Sequence, residues 1–508
     1  MGVERMIERD IILSLDIGTT NIKLAAIDKT GELIRLHKRP LRVQCPQAGY
    51  HEICPSKLWN DIEDLIRLTS AGLERRIAAI GLSTHRATFT TWERGADHCL
   101  HNFITWTDKR TQLMCDEWNS SYVIRLCRII VWGIGKVVGS SYLTCASNFN
   151  VMPRMVQMRL KWVMENIASA KPLYNQGKLC FGTIDTWLIY KLTGNTTLAT
   201  DYTNAGATGM YNIWRGKWCS LMNWMFSTPI GALPQVLDCN ASFGHVSSKL
   251  NLGFSVPIHG VLADQQASVF GNHLSSEGDV KLSLGTTISC KRVTGSHVQP
   301  LAVSVFPQIA WKLRNEDICY MAESQTVETR GKYLDWLVSA KLVKEIEDID
   351  TIAISVKSSE TPFFIKKDGI NDEPIQDFML EKTSNCTDAH FVRAVIEAHA
   401  FRSKVLLDDV FEFYDQPGKI IVDGGASSSR FILESLSALT GRNVYRSDFV
   451  DGALMGAFLV AGLGLGWWKS LEDIISAKKL TQISPLKEDE FKLSEKFEKW
   501  KTLLKSKC

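Results

Sequence analysis

The chain has 508 residues and 13 cysteines, with 58 basic against 55 acidic side chains, a formal charge of +3. That length exceeds one hydrophobic core and implies more than one domain, while the near-neutral charge argues against a polyanion partner such as nucleic acid. Thiols scattered without a Cys-x-x-Cys pair argue against a disulfide scaffold or a zinc site and for a reducing compartment.

In chain order, residues 11–28 open with two apolar runs around Asp16-Ile17-Gly18-Thr19-Thr20. The pattern predicts a β-hairpin. Gly18 frees the turn, Thr19 and Thr20 offer hydroxyl donors, and Asp16 at the strand end can hold a hydrated Mg²⁺. Such a turn is a phosphate cradle. Residues 55–71 have helical spacing (Leu58, Ile62, Leu65, Ile66). Residues 77–83 are a buried strand that delivers Thr84-His85-Arg86-Ala87-Thr88 to its C-terminal end, where α/β sheets place ligand loops. Residues 126–139 are apolar with interspersed Arg and Lys and fit no single pattern, residues 158–167 read as helix, and 181–201 contain a helix starting at Thr183.

A second block opens near Val256 with a strand ending in Asp264-Gln265-Gln266. Leu282-Ser283-Leu284-Gly285-Thr286-Thr287 then repeats the Leu-Ser-Leu and Gly-Thr-Thr elements of residues 13–20. Two hydroxyl hairpins, one per half, suit two similar domains closing on one polyphosphate. Residues 390–411 form a long helix, and Asp423-Gly424-Gly425-Ala426 is a third turn where backbone can approach a nucleotide. Residues 452–468 are uncharged, Gly-rich and just short of a membrane span, so a buried helix and no membrane span are expected. Residues 478–508 are charged and read as a peripheral helix or a tail. Met1 to Met6 carry charge where a signal peptide needs an apolar core, so a cytoplasmic location is expected.

Four motifs, in this order, resemble the FGGY carbohydrate kinase family, which includes glycerol, xylulose and gluconate kinases: Asp16-x-Gly18-Thr19-Thr20, Ala263-Asp264-Gln265-Gln266, Gly285-Thr286 and Asp423-Gly424-Gly425-Ala426. Residues 181–194 and 200–205 resemble its glycerol kinase subfamily, and with 83–89 and 103–106 a divergent animal branch of it. The resemblance implies an α/β fold of two actin-like (ribonuclease H-like) domains, at 10–255 and 256–477, around a catalytic cleft. It implies ATP and Mg²⁺ as cofactors and a small polyol, glycerol first, as substrate. Thr19, Thr20, Asn21 and Lys23 would meet the ATP phosphates, joined by Thr286, with Gly331, Asp335, Gly425 and Ser429 around the adenosine. Arg86, Trp106, Asp264 and Gln265 would line the polyol pocket, and Asp264 would be the general base.

The chain departs from the family at several positions. Ala87 stands where a hydroxyl-binding Glu follows the pocket Arg, Arg154 where a Tyr is usual, and Thr287, Ser429 and Asp335 replace Gly, Asn and Gln. Residues 363–370 lack the family's aromatic and Gly pattern. Kinases of another small polyol or sugar, and a nucleotide-binding pseudokinase, are the alternative readings. Homo-oligomerisation is left open.

Overall fold

The computed structural model describes residues 9–140, 143, 147, 150–285, 287–299, 305–325, 333–365, 375–412, 418–447, 451–470, 473, 480–485 and 490–506. The first sheet is built around β1 (Ile11–Ile17), seven residues buried on both faces. A strand buried on both sides belongs inside a sheet covered above and below. It turns at residues 18–20 into β2 (Asn21–Asp28), in a register that sets Asp16 opposite Lys23. β3 (Leu33–Pro40) extends the hairpin outward, and β4 (Ile77–Thr84) runs parallel to β1 on its other side. With β5 (Ser242–His245) and β6 (Pro257–Ala263) the order is β5-β6-β4-β1-β2-β3. β6 lies beyond the expected boundary at residue 255, yet it pairs in parallel with β4, so the first sheet extends to Ala263.

The second sheet starts from the other hairpin, β7 (Val280–Leu284) and β8 (Ile288–Gly295), with Leu284 opposite Ile288. β9 (Val305–Trp311), β10 (Cys319–Gln325), β11 (Ile420–Asp423), β12 (Val444–Arg446) and β13 (Thr481–Ile483) complete the order β9-β10-β8-β7-β11-β12-β13. In both sheets the first hairpin strand pairs antiparallel on one side and parallel on the other. The repeat seen as a short self-match is thus a repeat of architecture.

Six helices matter for the site and its surroundings. α1 (Tyr122–Val138) takes up most of the stretch that the sequence pattern left unassigned. With α2 (Val156–Asn166) it belongs to a lobe on the first domain, beside a small sheet made by Glu52–Ile53, Phe89–Glu93, Phe103–Ile104 and Leu179–Thr183. α3 (Asp264–Gly271) continues from β6, and α4 (Asp388–Phe411) is buried along most of its length in the second domain. α5 (Gly452–Leu465) returns the chain to the first sheet. Its glycines allow close approach rather than membrane entry: a Cβ on Gly456 would lie 1.9 Å from the Ala267 carbonyl oxygen, and one on Gly81 of β4 would lie 2.4 Å from that of Ala457. The core between the sheets gathers Ile12 and Leu262 from one, Ile421 from the other, and Phe270 and Phe458 from these two helices.

α6 (Glu490–Ser506) corrects the tail reading. Leu493, Phe497 and Trp500, spaced along one helical face, are buried in the second core. Trp500 Nε1 donates to the Phe364 carbonyl at 3.0 Å, and Lys496 pairs with the buried Glu397 of α4 at 2.7 Å.

Candidate active site

Three parallel strands end at one edge of the first sheet. The registers set Asp16 of β1 beside Ser83 of β4, and Thr84 beside Ala263 of β6. The residues that follow, Gly18 to Thr20, His85 to Ala87, and Asp264, therefore emerge together, as the α/β rule for ligand loops expects.

The first turn is open. Thr19 and Thr20 are exposed, and the turn closes through Gly18 N–H on the Asn21 carbonyl at 3.0 Å. His85 fixes it from behind. Its buried ring faces the Ile17 and Gly18 carbonyls at 3.1 and 3.2 Å, so Nδ1 carries the proton and donates. Burial pushes the imidazole pKa down, which keeps the ring neutral at pH 7. Asp16 accepts from Ser83 Oγ at 2.7 Å and lies 3.8 Å from Lys23 Nζ, its cross-strand partner. Lys23 also donates to Asp451, the cap of α5. Burial pushes the Asp16 pKa up, to about 7, and the Asp451 charge adds to it against the pull of Lys23.

Arg86 reaches across to the second domain. Its guanidinium makes a bidentate pair with Glu323 of β10, at 2.9 and 3.1 Å, and also donates to Gln308 of β9. Lys291 of β8, wholly buried, lies 3.7 Å from the same carboxylate. Burial alone would raise the Glu323 pKa, but the Arg86 and Lys291 cations hold it down at about 2. Burial lowers that of Lys291 to about 8, with Glu323 opposing. Next to Arg86, Ala87 holds a left-handed backbone, φ +59°, unusual for a residue with a Cβ. The buried Arg159 of α2 secures this loop, donating to the carbonyls of Ala87, Ile104, Thr105 and Arg154 at 2.6 to 3.1 Å. One side chain thus ties together the segments carrying Arg86, Trp106 and Arg154. Trp106 is 43% exposed and Arg154 stands over the Phe306 ring, 5.3 Å from its centroid.

Asp264 is the first residue of α3 and is half-buried, with Gln265 N–H donating to its Oδ1 at 2.8 Å. The backbone just before it is anchored by Thr203, whose Oγ1 accepts from Ala263 N–H at 2.8 Å and donates to the buried Asp201. The strongly patterned residues 200–205 are therefore scaffolding beneath Asp264.

On the facing domain, the Gly424 turn packs on the end of β7. A Cβ there would fall 2.6 Å from Leu284 backbone atoms, and φ is +93°, so only glycine fits. A Cβ on Gly425 would meet nothing within 4 Å, which leaves that backbone open to a ligand. Ser429 caps the helix Arg430–Thr440 and donates to Asp350. Thr286, Gly331 and the side chain of Asp335 lie outside the described residues, as do 366–370 of the altered segment.

Sequence reasoning missed Glu323, Gln308, Lys291, Asp451, His85 and Arg159. One of them carried a signal: Asp451 directly precedes an apolar helix, the position of a cap.

Residues 11–271 match the N-terminal domain of the FGGY family of carbohydrate kinases, and residues 325–465 match its C-terminal domain. The chain belongs to the FGGY family of carbohydrate kinases. This kinase is 33% identical to glycerol kinase 5 of Danio rerio over 473 residues, covering 91% of this chain and 89% of that one. It is 28% identical to the glycerol kinase of Aquifex aeolicus over 508 residues, covering 97% and 98%. A crystal structure of Plasmodium falciparum glycerol kinase with ADP superposes with a TM-score of 0.86 at 22% identity, covering 98% of each chain. The two repeated sheets are accordingly the ribonuclease H-like pair expected, and the enzyme is an ATP-dependent phosphotransferase acting on an alcohol group of a sugar or polyol.

Proposed function

We propose that this kinase converts glycerol to glycerol 3-phosphate, with Asp264 as general base. The observation that carries the reading is the common strand edge, where a phosphate-type turn, the Arg86 cation and the Asp264 carboxylate emerge side by side. Phosphoryl transfer depends on positioning and charge neutralisation more than on covalent help. Thr19, Thr20, Asn21 and the turn backbone donate to the phosphates from the first domain, with Lys23 beside them. Thr286, Gly331, Asp335, Gly425 and Ser429 are proposed to receive the nucleotide from the second. Asp264 accepts the proton of the attacking hydroxyl, and Gln265 and Trp106 border the same acceptor.

Arg86 does not bind the acceptor alone. Both its terminal nitrogens engage Glu323 or Gln308, so acceptor hydroxyls meet an Arg–Glu pair that can donate and accept together. The carboxylate lost at Ala87 is thus made good, in this reading, by Glu323. Hard oxygen donors suit Mg²⁺, which binds one or two carboxylates and otherwise water and phosphates. Asp16, a buried carboxylate whose neutralisation is favoured by its surroundings, fits that role, with Asp451 beside it. The ion, when bound, screens the charge of the phosphates. Unpaired buried thiols, Cys115, Cys180, Cys239 and Cys290, support a cytoplasmic setting.

Arg154 favours a second reading, an acceptor larger than glycerol or carrying an acid, because it adds a cation near Arg86 and Glu323. ADP release measured over glycerol, longer polyols and sugar acids tests both. Highest kcat/KM with glycerol supports the first; preference for a sugar acid rejects it.

A further inference from the structure

We propose that α1 is a docking helix for anionic lipid surfaces. Nine of the 21 exposed large apolar side chains among the described residues lie on this one helix. Tyr122 is 89% exposed, Val137 88%, Val138 68% and Ile129 65%. Only Ile124 and Gly135 are buried in the molecule. At 100° per residue, Leu126, Ile129, Ile130, Gly133 and Val137 fall within an arc of about 100° on the side away from those two. Arg125, Trp132 and Lys136 line one flank of that arc, and Lys136 Nζ stands 6.0 Å from the Trp132 ring.

The charge pattern selects the occupant. Residues 122–138 carry Arg125, Arg128 and Lys136 and no acidic residue. A second copy of this face would set cations against cations. An anionic bilayer accepts the apolar arc at its acyl boundary while the flanking cations meet headgroup phosphates, and Trp and Tyr are the aromatic residues that settle at that depth. The helix lies in the plane of the interface with its apolar arc inward; no helix among the described residues is long and apolar enough to cross a membrane. Arg128 donates to Asn119 and Asn150, which tie the helix to the rest of the lobe and hold its apolar arc outward. The inference is independent of which alcohol the kinase phosphorylates.

The test is flotation of the full chain with vesicles of phosphatidylcholine alone or with 30% phosphatidylserine. The wild type is expected to float with the anionic vesicles, at least tenfold more than with the neutral ones, and to be released by 0.5 M salt. Leu126→Glu with Ile129→Glu, and separately Arg125→Glu with Lys136→Glu, are expected to reduce flotation at least tenfold while kinase activity stays unchanged. These side chains are exposed, and the charge-reversal pair keeps the apolar arc, so the fold does not depend on either set. Wild-type protein that stays with the non-floating fraction overturns the proposal. So does flotation that survives both variant pairs, or a concentration-dependent dimer that the first pair abolishes.

Discussion

Glu323→Gln is the substitution whose effect can be worked out furthest. The carboxylate is nearly fully buried, 4% exposed, and holds two cations, Arg86 at 2.9 Å and Lys291 at 3.7 Å. Its pKa of about 2, against an ordinary 4.5, is worth about 3 kcal/mol to the folded state at neutral pH. Because the folded value is the lower one, this contribution is complete above about pH 5 and is lost as the pH falls toward 2. Removing the charge leaves Arg86 without its anion, while Lys291, already drawn down to about 8 by burial, falls further and sheds its proton near neutrality. That neutralisation relieves part of the cost of a broken buried pair, so a net loss of about 3 kcal/mol is expected at pH 7. Urea unfolding of wild type and variant at pH 7, 5 and 3.5 measures it. In acid the variant's Lys291 takes its proton back without a partner, which offsets the fading Glu323 contribution, so the gap is predicted to stay at about 3 kcal/mol at pH 3.5. Equal midpoints at pH 7 would refute the reasoning.

Arg159→Met removes the donor shared by four carbonyls around the loop that carries Arg86, so a loss of about 3–5 kcal/mol is expected from the acceptors left unpaired, with the acceptor KM rising more than that of ATP. Steady-state kinetics with each substrate varied check it, and partial recovery in Arg159→Lys is predicted. Gly456→Ala places a methyl 1.9 Å from the Ala267 carbonyl oxygen, forcing α3 and α5 apart. A cost of about 1–3 kcal/mol is expected, together with lower kcat because Asp264 starts one helix and Asp451 caps the other; unchanged thermal stability would contradict it. Trp500→Ala should cost about 3–5 kcal/mol by urea unfolding if α6 is part of the core, and next to nothing if it is a tail.

Legibility followed sequence separation. The hairpin at Asp16 could be read because its partners are local: the turn fixes the register, and the register fixes the Asp16–Lys23 pair. The helices at 388–411 and 452–465 declared themselves by apolar spacing and length. The Arg86–Glu323 pair was invisible, since its members are 237 positions apart and meet only across the two domains. β6 was assigned to the second half because a parallel pairing with β4 leaves no local mark. α6 was discounted for its charge, although Leu493, Phe497 and Trp500 already stood at helical spacing. α1 resisted assignment because its apolar residues cover the outer face, the reverse of the pattern that folding alone writes.

The most direct measurement of the central claim is formation of glycerol 3-phosphate from glycerol and Mg·ATP by the wild type and by Asp264→Asn. The wild type is predicted to form product, and the variant to turn over about 10²–10⁴-fold more slowly with its stability intact, as loss of a general base requires. Equal rates in the two proteins would remove Asp264 from the chemistry, and no product from either would remove glycerol as the acceptor.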